Sequence, residues 1–171
     1  QLYRKRTDVT TIAYRSGILV ADSRATTDDI ITGSNHKKLY ELADGGCLAF
    51  TGTIETAMVL IDWMIAAAQV GDIVGRSTQP KLEDDARVIH LRPDSTVWIT
   101  INDHWVQCYG EYHAWGSGMA PALGCLAAGL DPVAAVVAAC KVDVWSGGTP
   151  QVFALPEAAG RLKEMMKGIP G

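Results

Sequence analysis

The chain has 171 residues, 48% apolar and 20% charged, a mixture that suits one globular domain with a sizeable core and excludes a disordered segment. Its formal net charge of −4 argues against a general nucleic-acid or anionic-membrane role. The longest apolar stretch, 57–70, is broken by Asp62 and Gln69 and is too short to span a bilayer, while four widely spaced cysteines without a CxxC pair fit free or buried thiols in a reducing, cytoplasmic setting better than disulfides or a zinc site.

The first nine residues, "QLYRKRTDV", are basic but lack the apolar stretch of a signal peptide. Residues 10–14 and 18–22 alternate as two strands around the turn signal "RSG". A three-residue loop would pair Tyr14 with Ile18 and so Thr10 with Asp22. A two-residue Ser16-Gly17 turn would instead put Thr11 opposite Asp22. A one-residue slip exchanges faces, so only one threonine can share a face with that carboxylate.

A second strand pair is predicted near 29–33 and 36–42, around "TGSN". The segment "CLAFT", 47–51, reads as a buried strand ending at Gly52. The run "TIETAMVLIDWMIAAAQV" reads as a helix with Thr53 as N-cap and Glu55 at the positive end of its dipole. It is apolar on nearly every face, which suggests cover on both sides and hints at a subunit interface. Residues 71–86 read as a loop or short helical connection. Strands are predicted at 87–92, 96–101 and 104–109.

His104, Cys108, Glu111 and His113 fall in a strand-like region, which favours solvent-facing polar side chains over a metal site. Residues 119–129 form the next predicted helix. "DPVAAVVAAC" opens another, with Asp131 as cap and Pro132 in its first position. "KVDVW" and "PQVFAL" read as strands around "SGG", and 156–167 as a short amphipathic helix. There is no repeat and no linker. This order suits an α+β fold of packed antiparallel sheets with helices outside.

The fragments "TTIAYRSGILVADSRAT", "KKLYEL", "AFTG", "GSG" and "VDVWSGG" occur in the order in which they occur in β-type proteasome subunits. The chain resembles that family and the bacterial proteasome-like, HslV-type threonine peptidases, from Thr10 onward. The resemblance implies an N-terminal-nucleophile hydrolase: a four-layer αββα sandwich of two antiparallel sheets flanked by helices, with 1–9 a leader and 10–171 a single peptidase domain. The chemistry is coherent on its own terms. A threonine hydroxyl is a weak nucleophile that needs a nearby base. A free α-amine, with a pKa of about 8, can be that base.

The resemblance assigns the roles. Thr10 supplies hydroxyl and amine, and Lys38 lowers the hydroxyl's pKa through its charge. Asp22 keeps Lys38 charged and oriented. The Gly52 N–H stabilises the oxyanion, and Ser117, Asp143 and Ser146 orient amine and water. Family motif and three-residue hairpin both select Thr10 over Thr11. By the same resemblance, Ala25, His36, Phe50 and Ile54 line the pocket before the cleaved bond, and Thr26 and Ile54 pair with an extended peptide as an added strand. Ala25, Phe50 and Ile54 are apolar, so an apolar or uncharged substrate residue is expected there. Trp145 stands where the family often has an aromatic residue, which suggests a core role. No cofactor or metal is implied. The implied partners are an unfolded polypeptide or peptide substrate, further copies in a homo-oligomeric ring, and an ATP-dependent unfoldase or an open gate to feed it.

The mechanism needs a free amine at Thr10, yet nine residues precede it. Three readings stay open. The leader is removed by self-cleavage after Val9, although the family usually has glycine there. Or translation starts at position 9 with a valine codon read as methionine. Or the leader stays and the chain is a catalytically silent ring subunit. A further alternative is an N-terminal-nucleophile amidase acting on a small molecule, with an exposed site.

Overall fold

The computed structural model describes residues 9–27, 30–71, 79–82 and 86–167. Leader positions 1–8 and most of the 71–86 connection lie outside the described residues. The first described elements, β1 (Thr11–Arg15) and β2 (Ile18–Ala21), form a hairpin. Ser16 and Gly17 turn it with φ of 49° and 82°, the left-handed pair that a two-residue hairpin turn requires. The register therefore pairs Tyr14 with Leu19 and Ile12 with Ala21, one step from the three-residue expectation.

The β1–β2 hairpin is flanked by β10 (Tyr112–Gly116) on β1 and β11 (Gln151–Ala154) on β2, giving a four-stranded antiparallel sheet. A second sheet contains, in order, β5 (Leu39–Glu41), β6 (Cys47–Gly52), β7 (Ala86–Leu91), β8 (Val97–Ile101) and β9 (His104–Cys108). A small ribbon pairs β3 (Ala25–Thr27) with β4 (Ile30–Gly33).

Side-chain alternation sorts the core into layers. Ile12, Tyr14, Leu19 and Ala21 of the first sheet meet Ala49, Ile89, Leu91 and Ile99 of the second, forming the central core. Ala13, Ile18 and Val20 point the other way, onto α2 (Met119–Ala127) and α3 (Pro132–Val142). On the far side, Leu48, Phe50 and Val88 are covered by α1 (Ile54–Gln69), through Ala57, Leu60, Ile61 and Met64. The fold is thus the four-layer αββα sandwich that the resemblance implies.

Thr53 takes the N-cap position of α1 with extended backbone, but its side chain makes no cap hydrogen bond. Among the described residues α1 is covered on one side; Val59, on its outer side, is 53% exposed. Asp131 caps α3 by accepting from the Ala134 N–H at 2.9 Å. A 3-10 turn at Pro156–Ala158 leads into α4 (Ala159–Met166), the amphipathic tail.

Three sequence expectations are corrected here. The second hairpin is β3–β4, formed by 25–27 and 30–33, whereas the segment expected to pair at 36–42 shrinks to β5 and joins the other sheet. Its first residues are taken by other partners: the His36 N–H donates to the Ser23 carbonyl, and the Lys38 N–H to the Gln151 side chain. "KVDVW" is not a strand, because α3 runs through Val142 and Asp143 forms its C-cap. Trp145 is only half-buried, not a core residue. Strand β10, not anticipated, closes the first sheet beside β1.

Candidate active site

Thr10 lies one residue before β1 and keeps the inward parity of Ile12, so its hydroxyl emerges at the end of the layer between the sheets. Thr11 keeps the parity of Ala13, and its hydroxyl lies 2.7 Å from Ser146 Oγ on the helical side. The adjacent threonines thus serve two different networks.

Asp22 joins those networks. The Asp22 N–H donates to the Thr11 carbonyl at 3.0 Å, so the hairpin sets Thr11, not Thr10, opposite Asp22. The three-residue register, which would set Thr10 opposite Asp22, is therefore not the one adopted. Strand β2 ends at Ala21, and the Asp22 side chain, freed from the ladder, reaches the threonine before β1. Its Oδ1 accepts from the Thr10 hydroxyl at 2.8 Å and the Thr11 N–H at 3.0 Å. Its Oδ2 accepts from the Gly147 N–H at 2.9 Å and the Arg24 N–H at 3.2 Å.

Lys38 comes from the residue before β5, across the gap between the sheets. Its Nζ donates to Thr10 Oγ1 at 2.5 Å and to Asp22 Oδ1 at 2.7 Å, and lies 3.5 Å from the Val9 carbonyl oxygen. All three side chains are hidden: Thr10 is 2% exposed, Lys38 3% and Asp22 0%. Burial pulls the Lys38 pKa below its ordinary 10.5, against the opposing attraction of the Asp22 carboxylate. A cation held on the hydroxyl oxygen in a dry site stabilises an alkoxide there far better than it would in water.

A second cluster gathers around Asp143. Its Oδ2 accepts from Ser146 at 2.5 Å and from Ser117 at 2.6 Å. Ser117 Oγ also lies 3.3 Å from the Thr10 carbonyl oxygen. Both serines donate to Asp143, so Ser146 accepts from the Thr11 hydroxyl, and each serine keeps a lone pair that could receive an N–H donor from an amine. Gly147 couples this cluster to Asp22.

Cys140, close enough to feel Asp22 and Lys38, is pushed up to about 11 by burial and by the Asp22 carboxylate. It stays a thiol near neutral pH and is no rival to the threonine hydroxyl.

The remaining sequence candidates lie around this centre. Gly52 ends β6 opposite Ala86 with φ of 92°, and the hydrogen bonds above do not include it. Phe50 is 4% exposed and packs in the cluster under α1, which Ile54 also joins. Ala25 and Thr26 lie on β3, paired with Gly33 and Ile31. His36 is exposed in the link to β5.

Sequence reasoning passed over three contributors, Gly147, Arg24 and Gln151, and weighed Thr11 only as a rival nucleophile. Arg24 Nη1 donates to the Val144 carbonyl at 2.9 Å, bracing the loop that carries Ser146. Gln151 Oε1 accepts from the Lys38 N–H at 2.8 Å and the Leu39 N–H at 3.2 Å. The fragment "DSRAT" contained Arg24 as its signal; nothing marked Gln151.

No family model and no curated protein matches the chain. Solved structures do. Thiobacillus denitrificans BPH matches with a TM-score of 0.59 at 19% identity, over 85% of this chain and 97% of that one. The same protein in complex with epoxomicin gives a TM-score of 0.60 at 20% identity, over 85% and 98%. The HslV of the eukaryote Trypanosoma brucei gives 0.61 at 19% identity, over 84% and 97%. The chain shares the fold of BPH and of HslV, the four-layer αββα sandwich.

Proposed function

We propose that the chain is the subunit of a threonine-type endopeptidase with Thr10 as nucleophile. The observation that carries this reading is the closed contact of the Thr10 hydroxyl, the Lys38 ammonium and the Asp22 carboxylate, buried at the head of β1. The likeness of fold to HslV, and to BPH in complex with epoxomicin, supports it.

With Val9 attached, the Thr10 nitrogen is an amide without a basic lone pair, and the Thr10 hydroxyl donates its hydrogen bond to Asp22. Once the leader is absent, the freed amine stands between the hydroxyl and the Ser117–Asp143–Ser146 cluster. It takes the hydroxyl proton, directly or through a water, as Oγ attacks the substrate carbonyl. Lys38 stabilises the oxygen as it loses the proton, and the Gly52 N–H takes the carbonyl oxygen's growing charge. The amine then protonates the leaving nitrogen. Water, activated by the same amine, releases the acyl group from Oγ and restores the hydroxyl. Ala25, His36, Phe50 and Ile54 receive the side chain before the cleaved bond, and Thr26 and Ile54 hold the peptide backbone. Copies of the subunit assemble into a ring with the sites inside, fed with unfolded chain by an ATP-dependent unfoldase or through an open gate.

The test is turnover of fluorogenic peptides by protein that starts at Thr10. The T10A variant should lose activity by at least about 10³-fold while remaining folded. Equal turnover by T10A and its parent contradicts the assignment.

A further inference from the structure

Lys38 has a flexible four-carbon stem, so its charge is placed only as well as its backbone is anchored. That anchorage comes from outside its own sheet. Gln151 opens β11 in the first sheet, where it pairs with Ala21, the residue before Asp22. Its side chain crosses to the segment entering β5 of the second sheet. There Oε1 accepts from the N–H groups of Lys38 at 2.8 Å and Leu39 at 3.2 Å, and Nε2 donates to the His36 carbonyl. One amide thus satisfies three backbone groups spanning Lys38. The other side of this segment is tied to the Asp22 turn, through the His36 N–H on the Ser23 carbonyl at 2.8 Å.

We infer that Gln151 is a positioning residue for Lys38: it fixes the backbone from which the ammonium reaches Thr10 and holds the two sheets in register at the site. The inference rests on the peptidase reading of the same centre. Hydrogen-bond partners of both kinds are needed, two donors and one acceptor, and an amide is the side chain that offers the complementary set. The side chain touches no reacting atom. Its loss acts through the Nζ–Oγ1 distance, and a misplacement near 1 Å costs about 10²-fold in rate.

The test compares the variants Gln151→Met, of similar length but without polar ends, and Gln151→Glu, which keeps the oxygen acceptor for both N–H groups. Peptide turnover is normalised to folded subunits. Gln151→Met should lower kcat about 10- to 100-fold with KM within about 3-fold, while Gln151→Glu, which keeps the acceptor for both N–H groups but loses the donor to the His36 carbonyl, recovers part of that loss. Wild-type kcat in Gln151→Met, or equal damage in both variants, overturns the inference. If Gln151→Met does not fold, Gln151→Asn takes its place: one methylene shorter, it should show the same kcat loss, and full activity overturns the inference. A second readout does not need turnover: the titration of the Lys38 ammonium, followed by NMR with 15N-labelled lysine and assigned with Lys38→Arg. A shifted Lys38 titration in Gln151→Met supports positioning even if the wild type cleaves no peptide, a result that contradicts the peptidase reading alone. An unchanged titration overturns positioning.

Discussion

The Lys38 ammonium nitrogen lies 2.5 Å from the hydroxyl oxygen of Thr10, and neither side chain is reached by solvent. Lys38 belongs to the entry of one sheet and Thr10 to the entry of the other. The contact between them exists only because the two sheets pack face to face over Ile12, Leu19, Ala49 and Ile89. The proposed catalytic contact and the central core therefore share one geometry.

Replacing Lys38 by methionine should abolish turnover, by about 10³-fold or more, through loss of the charge on the hydroxyl oxygen. The protein should remain folded. Breaking a buried pair costs about 3–5 kcal/mol when it strands a charge. Here Asp22 keeps N–H donors from Thr11, Arg24 and Gly147, which places the loss at or below the lower end of that range. Chemical denaturation and peptide turnover on the same preparation measure both effects.

In the proposed mechanism Lys38 also sets the alkaline limit. Its pKa lies below 10.5 because burial outweighs the attraction of Asp22. The reaction needs the ammonium, so kcat should fall as pH rises through that lowered value. Stability should move the opposite way. Between the lowered folded pKa and 10.5 the unfolded chain binds more protons, so stability rises with pH in that window. A kcat–pH profile beside a melting profile over the same range checks the opposed slopes. An alkaline limit at or above the ordinary lysine value contradicts the role given to Lys38.

His90 gives an acid-side prediction away from the site. It lies edge-on to Trp105 in the outer face of the second sheet, and burial lowers its pKa from 6.5 to about 4. The native state resists protonating it and the unfolded chain does not. Its contribution is therefore complete above 6.5, declines as pH falls, and is lost below about 4. The shift amounts to about 3 kcal/mol. Denaturation midpoints between pH 7 and pH 4 should fall in the wild type and fall less steeply in His90→Phe.

Gly116 ends β10 with φ of 91°, and a Cβ there would collide with the Thr10 carbonyl. Gly116→Ala should cost at least about 2 kcal/mol and displace Thr10, the proposed nucleophile. Reduced stability together with slower inhibitor labelling is the expected pattern. A fully stable, fully reactive variant contradicts the close approach of β10 to Thr10.

The pocket reading predicts cleavage after apolar residues. Phe50 and Ile54 join one apolar cluster beneath α1, with no ionic partner for a charged substrate side chain within that cluster. A fluorogenic panel should show hydrolysis after leucine or phenylalanine at least about 10-fold faster than after glutamate, since an unpaired charge is costly to bury. Preference for glutamate contradicts the pocket.

The sandwich and the candidate residues were legible in sequence because strands of period two end in chemically marked residues: Asp22 after β2, Lys38 before β5, Gly52 at the end of β6. The hairpin register was not. "RSG" fits two loop lengths, and the outcome depends on Ser16 accepting a left-handed φ of 49°. Thr10 was selected by two arguments, of which only the family pattern agrees with the geometry; Asp22 reaches Thr10 by leaving the ladder. "KVDVW" alternates like a strand, but Lys141 and Val142 continue α3, and Asp143 turns to bind two serines. Gln151 left no trace in the pattern, because a side chain that satisfies backbone groups of another sheet depends on packing between segments more than a hundred residues apart.

The most direct measurement is the intact mass of the natively expressed protein before and after treatment with an epoxyketone inhibitor such as epoxomicin, followed by mapping of the modified residue. The expected result is a chain beginning at Thr10 that gains one inhibitor mass on that residue, with the gain abolished in Thr10→Ala. A chain that retains the residues before Thr10 and takes up no inhibitor, or an adduct on any other residue, contradicts the claim that Thr10 is the nucleophile.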